Sequence, residues 1–203
     1  MTSSSDVTAD HRIVMFDRSW ADYEAQLALQ GQRRRPKLAY LDGAIEQMSP
    51  SRDHERINTR IGRILDAYLV ASGVLGSANG EWTLRDQASE AGAQPDECYL
   101  FGPDPDAKDR PDLVIEVNWS RGGIDKLAIY QRLRIAEVWF WENAEIVVHV
   151  LGARGYEIRE RSTFVPGLDL GFVCSLLELA TVNEVHVAMR AWIEATPAAR
   201  GTR

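Results

Sequence analysis

The run Leu113-Val-Ile-Glu-Val117 constrains this chain more than any other stretch. A short apolar segment rich in β-branched residues is the pattern of a strand covered on both faces. Glu116 nevertheless lies inside it, and Asp112 stands at its mouth. A carboxylate buried there costs several kcal/mol unless it is paired, protonated or bound to a cation. The longer segment Arg110 to Glu142 reads as strand, turn, helix, strand. Gly122-Gly123 makes the turn, Lys126 falls in the first turn of the helix, and Glu137-Val-Trp-Phe-Trp-Glu142 is the second strand. A buried acid with a lysine close behind forms an acid-plus-amine pocket, which suits metal-assisted hydrolysis of a phosphodiester. Glu116 and Lys126 are equally compatible with a plain buried ion pair, because perturbed buried charges mark function only statistically.

The rest of the chain bounds the alternatives. With 203 residues, one sizeable core suffices. The net charge of -7 argues against broad nonspecific binding to a polyanion, while leaving room for a local basic face or a bound cation. Cys98 and Cys174 are far apart and lack metal-ligand spacing, so they read as reduced core thiols, and zinc is not expected. No apolar run reaches the roughly 18 residues of a membrane span, and Met1 to Asp6 has no signal-peptide core, so the expected location is the cytoplasm with no membrane partner. Residues 1–12 and 197–203 read as disordered tails around a single domain, 13–196.

Taken in order, Ser19 caps a short helix through Leu29. Arg33-Arg-Arg35 is the densest basic run, either a solvated loop or a phosphate contact. Asp42-Gly43 joins Lys37–Tyr40 to Ala44–Met48 as a hairpin. Ser49-Pro-Ser51 opens the most regular helix, with His54 and Glu55 in its first turn and Ile57, Ile61, Ile64, Leu65, Tyr68 and Leu69 on one face, up to Gly73. Asn79-Gly80 signals a second hairpin between Val74–Ala78 and Trp82–Arg85. Ala88–Gln94 reads as a small-residue loop, Pro95–Leu100 as a strand with Asp96 at its start, and Gly102–Arg110 as an exposed excursion. A further hairpin spans Ile146–Leu151 and Tyr156–Arg161. Phe164–Cys174 reads as loop with an edge strand, before helical pieces at Ser175–Ala180 and Val182–Ile193. Leu176, Leu177, Val185, Val187, Met189 and Trp192 are expected on the sheet. Trp119, Trp139, Phe140 and Trp141 read as core or a dimer face before base stacking.

Neighbouring strands lie about 4.8 Å apart, so Asp96 and Glu116 can meet across the excursion. Two carboxylates on adjacent strands suit Mg²⁺, with Mn²⁺ as a substitute, and Lys126 would offset charge developing on a phosphate. Tyr130, one turn beyond Lys126, would pack against or position the lysine.

Several motifs recur in a familiar order: Tyr40-Leu-Asp-Gly43, Met48-Ser-Pro50, His54, Pro95-Asp96, Pro111-Asp-Leu-Val-Ile-Glu-Val117, Asp125-Lys-Leu-Ala-Ile-Tyr130 and Glu137-Val-Trp139. Over roughly residues 15 to 190 the chain resembles the Uma-type family of candidate restriction endonucleases, a branch of the PD-(D/E)XK nuclease superfamily. The resemblance implies a restriction-endonuclease-like α/β core, with a central mixed sheet flanked by helices and an N-terminal hairpin extension. It implies an endonuclease acting on DNA, with Asp96 and Glu116 holding a divalent metal and Lys126 as the catalytic lysine. The superfamily pattern places that lysine two residues after the acid, where this chain has Asn118, so the amine would come from the helix. Asp112 is the rival to Asp96 as first acid, while His54 and Glu55 match the helix start bordering such sites and take supporting roles. A homodimer is expected by analogy with endonucleases that cut both strands. The alternative is a binding or regulatory protein that keeps the fold without useful catalysis.

Overall fold

The computed structural model describes residues 9–80, 82–117, 123–179 and 181–199. β1 (His11–Met15) and α1 (Trp20–Gln30) lead into the hairpin β2 (Lys37–Leu41) and β3 (Ala44–Ser49). The hairpin turn has positive φ at Asp42 (44°) and Gly43 (81°), the backbone that a two-residue turn between twisted strands requires. α2 (Arg52–Ser72) follows, capped by the Ser51 side chain and closed by Gly73 at φ 77°. Four short strands come next: β4 (Gly76–Ala78), β5 (Leu84–Asp86), β6 (Ala91–Ala93) and β7 (Glu97–Phe101). Then come β8 (Leu113–Val117), α3 (Lys126–Arg132) and β9 (Glu137–Glu142), the strand, helix and strand expected from the organising segment. β10 (Glu145–Gly152), β11 (Gly155–Arg159), α4 (Leu170–Leu176) and α5 (Val182–Ala195) complete the order.

The strands form two sheets. The larger, mixed sheet runs β11-β10-β9-β8-β7-β4 and is antiparallel except for the parallel pair β8–β9. The smaller is an antiparallel sheet of order β1-β3-β2-β6-β5, so the N-terminal hairpin is the centre of a second layer. Alternation along β8 sends Leu113, Ile115 and Val117 to a core shared with α2, α4 and α5. Val114 faces a second core that contains Ile129, Tyr130 and Leu133 from α3 and just after it, together with Ala91 and Ala93 of β6. Glu116 shares the parity of Val114, so pleating alone turns its carboxylate toward α3.

Several expectations are corrected. β4 and β5 do not pair with each other: β4 pairs β7 in one sheet and β5 pairs β6 in the other. The small-residue stretch is a strand because its neighbours leave no room for side chains, and a Cβ on Gly92 would lie 2.6 Å from the Tyr23 hydroxyl. No strand forms in 164–174, where α4 covers the sheet instead. Val187 points outward, 70% exposed, because Val185 and Met189 occupy the buried face of α5. His11 and Arg12, expected outside the folded domain, pair with β3. Pro197–Ala199 forms a 3₁₀ turn with Ala199 buried. Among the described residues no helix is long and apolar enough to cross a membrane. Cys98 and Cys174 are both free thiols, and burial raises both pKa values.

Candidate active site

β7 and β8 are in register through Glu97 opposite Ile115, so Asp96 stands opposite Glu116 one step further along. The Asp96 carboxylate is almost fully buried and each oxygen is engaged. Oδ1 takes a hydrogen bond from Lys37 Nζ at 2.6 Å. Oδ2 accepts from the Val117 backbone N–H at 2.8 Å and lies 2.9 Å from His54 Nε2. The Asp96 carbonyl also accepts from Asn58 Nδ2 at 3.1 Å, which ties the start of β7 to α2.

His54 is held at both ring nitrogens, because Nδ1 lies 3.0 Å from Asp10 Oδ2. Asp10 is itself fixed by the Ser51 N–H at 2.8 Å, at the start of α2. Burial opposes a charge on His54, but the two carboxylates outweigh it and push its pKa up to about 9. Burial likewise opposes a charge on Asp96, yet Lys37 and His54 hold its carboxyl well below the usual range. The Asp10 carboxyl is lowered too, with His54 and Ser51 overcoming its burial.

The second group surrounds Glu116. Its Oε1 accepts from Lys126 Nζ at 3.1 Å and from the Tyr130 hydroxyl. Oε2 has no donor among the described residues. Burial and the neighbouring Asp96 charge raise the Glu116 carboxyl, against the pull of Lys126. Asp125 caps α3 by accepting from the Ala128 N–H at 3.0 Å, which places Lys126 in the first turn. Ahead of it, the Ile124 N–H donates to Glu46 Oε2 at 3.0 Å. Gly123 allows that approach, since a Cβ there would lie 2.1 Å from the same oxygen. Arg12 pairs with Glu46 at 3.5 Å.

Asp96, Glu116, Lys126, His54 and Tyr130 therefore gather at one end of the β7–β8 pair. Glu55 shares the first turn of α2 but pairs with Arg35 at 2.5 Å. Asp112 is the far acid of β8: its Oδ2 binds the Phe101 N–H at 2.6 Å and Lys108 Nζ at 2.5 Å, which secures the excursion after β7. Asn118 and Trp119 lie outside the described residues. Lys37, Asp10, Glu46 and Asn58 were not anticipated. Lys37 carried the one available signal, a lysine opening the apolar run Leu38-Ala-Tyr40.

Residues 20–179 match the family model described as "Uma2: Putative restriction endonuclease". The chain belongs to the Uma2 family. The matched span runs from α1 through α4 and carries every site residue named above except Asp10 and Arg12. No curated protein matches this Uma2 chain.

Proposed function

We propose that this Uma2 protein is a divalent-metal-dependent nuclease that hydrolyses phosphodiester bonds in DNA, with Asp96, Glu116 and Lys126 as its catalytic group. One observation carries the reading: two acids from separate stretches face each other at the end of β7 and β8, with Lys126 Nζ 3.1 Å from Glu116 Oε1. The donor set is compatible with Mg²⁺ or Mn²⁺. Both acids offer hard oxygens, and Glu116 Oε2 has no described donor to displace. Among the described residues no cluster of three or more acidic, His or Cys side chains forms a ready-made cage. Mg²⁺ does not need one, because it commonly takes one or two carboxylates and keeps several waters.

Asp96 and Glu116 would hold the cation, which when bound supplies Lewis acidity and lowers the pKa of an attached water. Lys126 brings positive charge to where the phosphate gains negative charge in the transition state. Tyr130 fixes the orientation of Glu116 through the shared oxygen. His54 and Asp10 position Asp96 from the α2 side. Cutting both strands of a duplex calls for two such centres, so a second copy of the chain is the expected partner. The two free thiols accord with a cytoplasmic setting.

A second reading rests on the engagement of Asp96, whose charge Lys37 and His54 already offset within the protein. A fold retained for binding alone would keep such a network. Supercoiled plasmid incubated with Mg²⁺ or Mn²⁺ separates the two. The nuclease reading requires nicking by the wild type and its loss in Lys126→Ala. Equal nicking by both would remove the lysine from the mechanism, and no nicking with either metal would favour the binding protein.

A further inference from the structure

Two clefts, of about 530 and 440 Å³, lie side by side on the surface of the smaller sheet and share Trp82 and Arg85 in their walls. Neither is lined by Asp96, Glu116 or Lys126, but Lys37 lines the first, and its Nζ bonds Asp96. We infer that these clefts form one continuous track for single-stranded nucleic acid, with arginines on the phosphates and Trp82 as the stacking platform. This deepens the nuclease reading and rests on it for the fate of the bound strand.

Charge supplies the first argument. The chain has 30 acids against 23 lysines and arginines, yet the two clefts carry Arg33, Arg34, Arg85, Arg110, Arg132 and Arg134. The acids in their walls are Glu24, Asp86 and Asp109. Glu24 pairs with Arg85 at 2.5 Å and Asp109 with Arg110 at 3.0 Å. Asp86 accepts from the Ala88 N–H and the Ser89 hydroxyl. Arg132 is held by a two-pronged contact with Asp42, at 2.6 and 2.5 Å. A guanidinium has five N–H donors, so a paired arginine retains others for a phosphate.

Arg134 supplies a second, independent argument. It is exposed and stands just past α3 at φ 57°, in the left-handed region where glycine or asparagine normally ends a helix. An arginine there is disfavoured because its Cβ crowds the following carbonyl, and neither Arg134 nor Arg33 makes a side-chain ion pair with a described residue. Arg134 thus brings an exposed cation to the wall of the second cleft, where a phosphate can reach it. Trp82 chooses between strand types. It is half-buried, packs on the core beneath α3 and contributes to both clefts. An unpaired base can stack on such an indole, whereas the bases of a duplex are already stacked.

The test is fluorescence anisotropy of a labelled oligothymidylate about 12 nucleotides long, with EDTA present so that binding is read without cleavage. The wild type should bind. The double variant Arg33→Ala with Arg134→Gly should bind about tenfold more weakly. Its salt-dependence slope should be shallower by roughly 1.4, two phosphate contacts at about 0.7 each. Arg134→Gly alone should weaken binding while leaving Tm unchanged or higher, which a structural role for the arginine would not do. Trp82→Ala should lose affinity and Trp82→Phe restore it, while Arg190→Glu, an exposed site on α5, should bind like the wild type. No binding, an equal loss in Arg190→Glu, or tighter binding of an equally long duplex would overturn the inference. If the groove variants lose binding but the wild type cuts nothing, the track stands and the nuclease reading falls. If the wild type cuts and the groove variants bind and cut as well as it does, the reverse holds.

Discussion

Replacing His54 with Gln tests the buried charge network at its centre. In the fold the imidazole sits between Asp10 Oδ2 at 3.0 Å and Asp96 Oδ2 at 2.9 Å, and its pKa rises from 6.5 to about 9. Because the folded value is the higher one, the associated stability is fully present below about pH 6.5 and is lost as the pH climbs through about 9. At about 1.4 kcal/mol per pH unit, that interval is worth about 3 kcal/mol. Asp10 and Asp96 act with the opposite sign, since both are held below the usual 3.8. Their contribution is present above about pH 4 and falls away in acid. Stability should therefore peak between about pH 4 and 6.5. Urea denaturation of the wild type and of His54→Gln at several pH values reads the effect. The two should differ by about 3 kcal/mol near pH 6, and the gap should close toward pH 9. A gap constant across that range would mean that the imidazole is neutral in the fold, and the charge account of the site would fail.

Three further outcomes follow from individual contacts. Lys37→Met leaves Asp96 without its ammonium partner, and breaking a buried pair in this way should cost about 3–5 kcal/mol in urea denaturation. Asp10→Ala removes the outer support of His54 and should cost about 2 kcal/mol at pH 6 and less at pH 9, again by urea denaturation. Gly92→Ala places a Cβ 2.6 Å from the Tyr23 hydroxyl and should cost about 1–3 kcal/mol, seen as a lower Tm.

How far the site could be read from the chain depends on the range of the interactions. Glu116, Lys126 and Tyr130 belong to one strand–helix unit, and local rules place them: strand parity turns Glu116 toward α3, and the four-residue step from Lys126 to Tyr130 puts both on one helix face. Asp96 required only that adjacent strands pair. Lys37 and Glu46 act through the second sheet, whose order β1-β3-β2-β6-β5 brings together stretches with no shared local signal. Asp10 looked like tail because its partner, His54, lies 44 positions away. The strand at Ala91-Gly-Ala93 was hidden by composition, since small residues normally signal a loop, and here they admit Tyr23. Asn79-Gly80 misled for a related reason: a turn dipeptide reports that the chain bends, not that the flanking strands pair.

The central claim is that Asp96 and Glu116 together hold one divalent cation. Electron paramagnetic resonance titration with Mn²⁺ measures this directly, without requiring turnover. The account predicts one bound ion per chain in the wild type and its loss in Glu116→Gln, an isosteric change that keeps the Tyr130 contact. No bound Mn²⁺ in the wild type, or binding unchanged in Glu116→Gln, would contradict it.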